Sequence, residues 1–155
     1  MILPDYELQI WAQDGGIDAD SYDPANINPA SIDLRFSGRV INLSTGDEHT
    51  VGKLSIEPGD AVLVDTLEYI TMPLDCAGTL YLKSSLARIG LDHALAGWVD
   101  PNFSGTLTLE LHAHRPIVIE KGQRIVQLVL QRMEGRPVQL YRGKYQHQYG
   151  PTEAR

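Results

Sequence analysis

The stretch from Lys83 to Glu110, KSSLARIGLDHALAGWVDPNFSGTLTLE, gathers anion-binding, chain-bending and proton-handling groups in one segment. Lys83, Ser84, Ser85 and Arg88 bring cations and hydroxyls together in a set able to make charge-assisted hydrogen bonds to a polyphosphate. After Gly105, Thr106, Thr108, Glu110 and His112 alternate with Leu107, Leu109 and Leu111, which sets Glu110 mid-strand on a polar face. A charge at such a position is costly unless it is solvated, paired or used. Two readings stand: a solvent-facing glutamate on an open antiparallel sheet, or a general acid/base in a cleft.

The elements that would hold these groups are short. Turn signals recur at Asn26 to Pro29, Ser44 to Asp47, Glu57 to Gly59, Pro101 to Gly105 and Glu120 to Gly122, with runs of Val, Ile, Leu and Thr between them. That spacing predicts an all-β sandwich or barrel. A short helix precedes it: Pro4 suits a first helical position, Asp5 and Glu7 complement the dipole, Leu8, Trp11 and Ala12 form an apolar face, and Gly15 and Gly16 end it. Ser55 to Leu63 and Val118 to Val126 resemble each other weakly as strand, glycine turn and strand, a pairing that a double-wound jelly roll produces. From Arg142 onward the chain is poor in aliphatic residues. It reads either as a loosely held tail or as a lid carrying Lys144, Tyr145 and Gln148.

At 155 residues the chain is expected to form one domain spanning 1–155, large enough to bury a core without staples. Its single cysteine, Cys76, excludes an intramolecular disulfide and fits a reducing compartment. No apolar run approaches the ~20 residues that span a bilayer, and MILPDYEL lacks the features of a signal peptide, so a cytoplasmic location with no membrane partner is expected. A net charge of −7 argues against a nucleic-acid partner. An anionic ligand would have to be met locally, near Lys83, Arg88 and Lys144.

Other residues have competing explanations. His112 and His114 can share a strand face as metal ligands, but no third ligand is evident and a surface hairpin explains them, so no metal site is assigned. Trp98 can stack on a base or serve as core or interface, and Phe103 carries the same ambiguity. Ser84 has no G-x-S-x-G elbow to make it a hydrolytic nucleophile.

Four motifs, NPASIDLR (Asn28 to Arg35), KSSLARIGL, AGWVDPNFSGTLTLEL and GKYQHQYGPTEAR, appear in an order that resembles the dCTP deaminases of the trimeric dUTPase-like superfamily. The resemblance spans nearly the whole chain. It implies a mainly β, distorted jelly roll of the β-clip kind with a short N-terminal helix, a homotrimer with active sites between subunits, and hydrolysis of dCTP to dUTP and ammonia. Glu110 matches the catalytic carboxylate that shuttles protons, and Ser84 and Arg88 match the groups that orient water and contact nucleotide. Lys83, Ser85 and the neighbouring Leu86 and Ala87 resemble phosphate and subunit contacts, Asp100 the deoxyribose contact, and Gln127 a phosphate-side contact. Thr108 and Leu109 flank the carboxylate on its strand as nucleotide contacts, while Tyr141, Lys144 and Gln148 belong to the closing C-terminus, with 142–155 as the lid. Magnesium is expected to arrive bound through the triphosphate. Zinc is not expected, because the zinc deaminases use an H-x-E and P-C-x-x-C arrangement that a chain with one cysteine lacks.

The segment from Leu91 to Asp100 departs from the deaminase pattern by being one residue shorter. This bears on a water-positioning carbonyl near Ala96 and on inhibition by dTTP. Ala96-Gly97-Trp98-Val99-Asp100 also resembles the bifunctional deaminase-diphosphatases and the dUTPases, in which the residue matching Asp100 activates water for attack on the triphosphate. Three functions are thus in play: dCTP deamination, dUTP diphosphate hydrolysis alone or coupled to it, and a non-catalytic nucleotide-sensing trimer.

Overall fold

The strand Ser31–Asn42 organises the fold because its two halves pair with different neighbours of the main sheet. Its first half pairs with Arg124–Arg132, with Ile32 opposite Leu128, and its second half pairs with Ala61–Thr66, with Val40 opposite Val64. Strand register breaks between Phe36 and Val40, and this is where the chain turns from one layer to the other. Gly38 sits at the break with φ +95°, and a Cβ there would come within 2.8 Å of the Val51 carbonyl oxygen. Gly38→Ala is therefore expected to destabilise the protein by roughly 1–3 kcal/mol, read as a thermal midpoint lowered by several degrees.

The computed structural model describes residues 1–94 and 96–154; Leu95, inside the shortened segment, and Arg155, at the end of the tail, lie outside the described residues. The main sheet runs Leu91–His93, Thr108–Ala113, Ala61–Thr66, Ser31–Asn42, Arg124–Arg132, Cys76–Leu82 and Trp98–Val99, all antiparallel neighbours. Curling of this sheet around Leu34, Phe36, Val64, Leu109, Leu111, Ile125 and Leu128 makes the core. The mainly β fold with an N-terminal helix expected from the turn spacing is thus observed.

The two similar segments turn out to face each other. Lys53–Ile56 and Ile117–Glu120 form a two-stranded ribbon in which Ile56 opposes Ile117 and Lys53 opposes Glu120, and each strand passes through a glycine turn, Gly59 or Gly122, into the main sheet. The helix Asp5–Trp11 buries Leu8, while the Trp11 indole donates to the Thr71 carbonyl at 3.0 Å. Pro4 is the N-cap rather than the first helical residue: its ψ of 169° is extended, and its carbonyl accepts from the Leu8 amide. A wider turn over Ala12–Gly16 follows before Ile17 returns to extended backbone.

Two buried carboxylates anchor the long strand. Arg35 donates to Glu68 through Nε at 2.7 Å and through its backbone amide at 2.8 Å, and burial still pushes the Glu68 carboxyl above its ordinary value. Asp65 accepts from Ser37 and Arg39. Among the described residues no helix is long and apolar enough to cross a membrane.

Candidate active site

Thr108–Ala113 lies between Ala61–Thr66 and Leu91–His93, with Glu110 opposite Leu63. The expected alternation holds: Leu109, Leu111 and Ala113 enter the core, Thr108 and Glu110 are half-buried, and His112 is exposed. Glu110 and Thr108 line a cavity of about 550 Å³ whose walls are largely apolar, including Leu43, Leu63, Leu80, Phe103 and Leu107. Among the described residues the Glu110 side chain has no hydrogen-bond or ion-pair partner. A half-buried carboxylate left unpaired beside apolar walls is what structural glutamates avoid.

The turn after Trp98–Val99 supplies a second carboxylate. Asp100 lines the same cavity, its backbone carbonyl accepts from the Phe103 amide at 3.2 Å, and one of its carboxylate oxygens accepts from the Trp98 indole N–H at 2.9 Å. Phe103 is buried and meets Tyr141 edge to face with ring centroids 5.7 Å apart. Trp98 is 62% exposed, so it belongs to the core of this chain in no sense.

The C-terminal segment is docked, against the reading of a loosely held tail. The Tyr141 amide donates to the Pro101 carbonyl, His147 to Ser104, Thr106 to Gln148 and Thr152 to the Thr108 hydroxyl, so the segment follows 101–108 residue by residue. Gln146 brackets the turn with bonds to the Asn102 carbonyl and the Ser104 amide, and the Gln148 side chain donates to the Thr106 carbonyl at 2.8 Å. Tyr149 lies over the Arg39 guanidinium at 4.2 Å. Tyr141, Tyr145, Gln148, Thr152 and Ala154 thereby join the cavity lining.

The remaining site candidates lie elsewhere in the chain. Lys83 caps the four-residue helix Ser84–Ala87, and its ammonium reaches buried Asp33 at 2.8 Å, so its charge already has a partner. Ser84, Ser85, Ala87 and Arg88 are exposed, and among the described residues the side chains of Ser84, Ser85 and Arg88 have no polar partner. Leu86 and Leu109 face the core. Gln127 opposes Asp33 and Tyr81 and accepts from the Ser31 hydroxyl, while Lys144 is exposed with its ammonium 5.3 Å from the Tyr145 ring centroid. The helix enters the sheet at Leu91, opposite Ala113, about 10 Å along the strand from Glu110. So Asp100, Thr108, Glu110, Tyr141 and Gln148 share one cavity, while Lys83, Ser84, Ser85, Leu86, Ala87, Arg88, Gln127 and Lys144 do not line it.

Sequence reasoning left out Leu43 and Leu80, for which no local pattern exists because they reach the cavity only through packing, and it covered Thr152 and Ala154 only as part of the lid segment. His112 and His114 are exposed at a hairpin, with His114 3.7 Å from Asp92, and no group of three or more His, Cys, Asp or Glu side chains comes together among the described residues.

The jelly-roll framework is shared with solved structures of other proteins. The fold matches the crystal structure of 2′-deoxycytidine 5′-triphosphate deaminase from Agrobacterium tumefaciens with a TM-score of 0.75 at 21% identity, over 84% of this chain and 47% of that longer one. It also matches the native dUTPase of EIAV with a TM-score of 0.53 at 20% identity, over 83% of this chain and 92% of that one. A family model described as dCTP deaminase-like matches residues 2–133, and the chain belongs to that family. Relatives named "dCTP deaminase, dUMP-forming" align with the whole chain: 37% identical in Acidothermus cellulolyticus over 95% of that protein, 36% in Aquifex aeolicus over 94%, and 38% in Mycobacterium avium over 95%. The first of these alignments runs over 188 positions, more than this chain's 155 residues, so this chain is a compact version of its relatives.

Proposed function

We propose that this protein hydrolyses the 4-amino group of dCTP, with Glu110 as the group that moves the protons. The observation that carries this reading is the half-buried Glu110 carboxylate, without a polar partner among the described residues, in a cavity of about 550 Å³. That volume suits a nucleoside. Glu110 takes a proton from water as its oxygen bonds to C4 of the cytosine ring, and gives it to N3. The carboxylate then takes the remaining proton from the new C4 hydroxyl and passes it to the amine; as the C4–N bond breaks, the C4 oxygen becomes a carbonyl, and ammonia leaves behind a uracil ring. Phe103 and Tyr141 offer aromatic walls for the ring, and Thr108 and Gln148 offer polar edges.

The site needs donors for the tetrahedral centre and cations for the phosphates, and among the described residues that line the cavity there is no lysine or arginine. Ser84, Ser85 and Arg88 are exposed and unpartnered among the described residues, which supports a site completed by the neighbouring subunit of a homotrimer. Magnesium would enter with the triphosphate and offset its charge. The segment 142–154 acts as the lid, since Thr152 and Ala154 stand at the cavity and Arg39 grips Tyr149.

A second step has its own support. Asp100 shares the cavity with Glu110, and the relatives carry "dUMP-forming" in their names, so dUTP is carried on to dUMP and diphosphate by a water that Asp100 activates. A chromatographic time course of the purified protein with dCTP, and separately with dUTP, in magnesium without added zinc tests both steps. The expected result is dUMP from either substrate. Accumulation of dUTP would remove the second step, cleavage of dUTP with dCTP untouched would remove Glu110 as a deaminating group, and two unreacted substrates would leave a nucleotide sensor.

A further inference from the structure

We propose that Trp98 is the positioning residue for Asp100, holding one carboxylate oxygen so that the second is the acceptor left for water or nucleotide. The inference rests on the reading of Asp100 as the group of the second step. An indole that is 62% exposed costs apolar contact with water, and a smaller residue would serve the strand as well. What only tryptophan supplies here is its ring N–H, and that N–H lies 2.9 Å from Asp100 Oδ1.

The support beneath this pair is stiff although the pair itself is exposed. Residues 98 and 100 lie two apart, so they project from the same side while Val99 goes into the core. Val99 opposes Gly78, where an added Cβ would stand 2.9 Å from Leu128 and 3.2 Å from Val99, so the edge strand is seated as close as backbone permits. Gly97 is equally confined: the Leu80 amide donates to its carbonyl at 2.7 Å, and a Cβ on it would stand 2.9 Å from the Leu80 carbonyl oxygen. Both ends of the Gly97 to Asp100 stretch are therefore fixed, the far end by the Phe103 amide on the Asp100 carbonyl. A carboxylate on such a base keeps its Cβ in place but can still rotate about its own bonds. The indole donor removes that freedom.

Deamination takes its proton carrier from Glu110 and needs no water held by Asp100, so the water that Trp98 helps Asp100 hold bears on how far the product is carried. Trp98→Phe keeps an aromatic ring and deletes only the donor. The ratio of dUTP cleavage to dCTP deamination is expected to fall about ten- to hundredfold, the scale of one charge-assisted hydrogen bond, with dUTP appearing as an intermediate. Any loss of nucleotide binding common to both steps cancels in that ratio. In an Asp100→Asn background the same substitution should change the ratio no further.

A second readout does not depend on activity. The chain has two tryptophans, so a nitrogen-proton spectrum holds two indole signals, and Asp100→Asn should move the Trp98 signal while leaving that of Trp11 in place. An unmoved Trp98 signal, or an unchanged ratio in Trp98→Phe alongside dUMP formation by the wild type, overturns the inference and leaves the two-step reading standing. A wild type that stops at dUTP overturns the two-step reading, and the inference with it.

Discussion

Glu110→Gln is expected to lower dCTP deamination by about 10²–10⁴-fold while nucleotide still binds within a few-fold of its original affinity. The glutamine side chain has the same length and fills the same space, but its amide neither accepts nor returns a proton at neutral pH. Nothing structural is lost in the exchange, since among the described residues the Glu110 carboxylate holds no partner and its strand is kept by Leu109 and Leu111 in the core and by backbone pairing to Leu63. Ammonia release measures the rate, titration calorimetry with dCTP measures affinity, and a thermal melt verifies the fold. Turnover that survives in Glu110→Gln would transfer the proton chemistry to another group, with Asp100 the next carboxylate on the cavity.

Mixing two inactive variants should restore activity. Glu110→Gln lacks the proton carrier, and Arg88→Ala lacks a cation that its own chain does not bring to the cavity. If each site takes Glu110 from one subunit and Arg88 from the next, then in randomly reassembled trimers about a quarter of the sites combine an intact Glu110 with an intact Arg88. The two chains, unfolded together and refolded at equal concentration, are thus expected to recover on the order of a quarter of the wild-type rate from components that each show almost none. A site contained within one chain would recover nothing, because every chain in the mixture carries one defect. Arg88 is exposed at the end of a short helix, so its substitution leaves the core untouched and the loss is one of chemistry rather than folding.

The residues that could be read in advance are those whose meaning lies in their neighbours along the chain. Alternation from Thr106 to His112 placed Glu110 off the core face, and the structure keeps that alternation within Thr108–Ala113. The glycine turns at Gly59 and Gly122 marked two similar strand-turn-strand units, whose first strands proved to pair with each other. Pro4 was placed one position too far into the helix, an error within the ordinary uncertainty of a helix start. The C-terminal segment was harder, because its order comes from bonds to 101–108 that no composition records. Lys83 was legible as a cation near the phosphate-binding cluster, but Asp33, fifty residues earlier, holds it across the sheet.

By itself, then, the sequence determined which residues are candidates for chemistry and which face of a strand Glu110 occupies, since side-chain type and a two-residue period are local properties. It also determined the β architecture, through turn residues whose backbone preferences act over a few positions. Tertiary structure alone decided that Glu110 and Asp100 share a cavity, that Leu43, Leu80 and Thr152 wall it, and that Trp98 engages Asp100 rather than the core. It also separated Ser84 and Arg88 from Glu110 within one chain. These are matters of which surfaces meet when the sheet curls around Ser31–Asn42, and that closure depends on the packing of the whole core rather than on any one stretch of it.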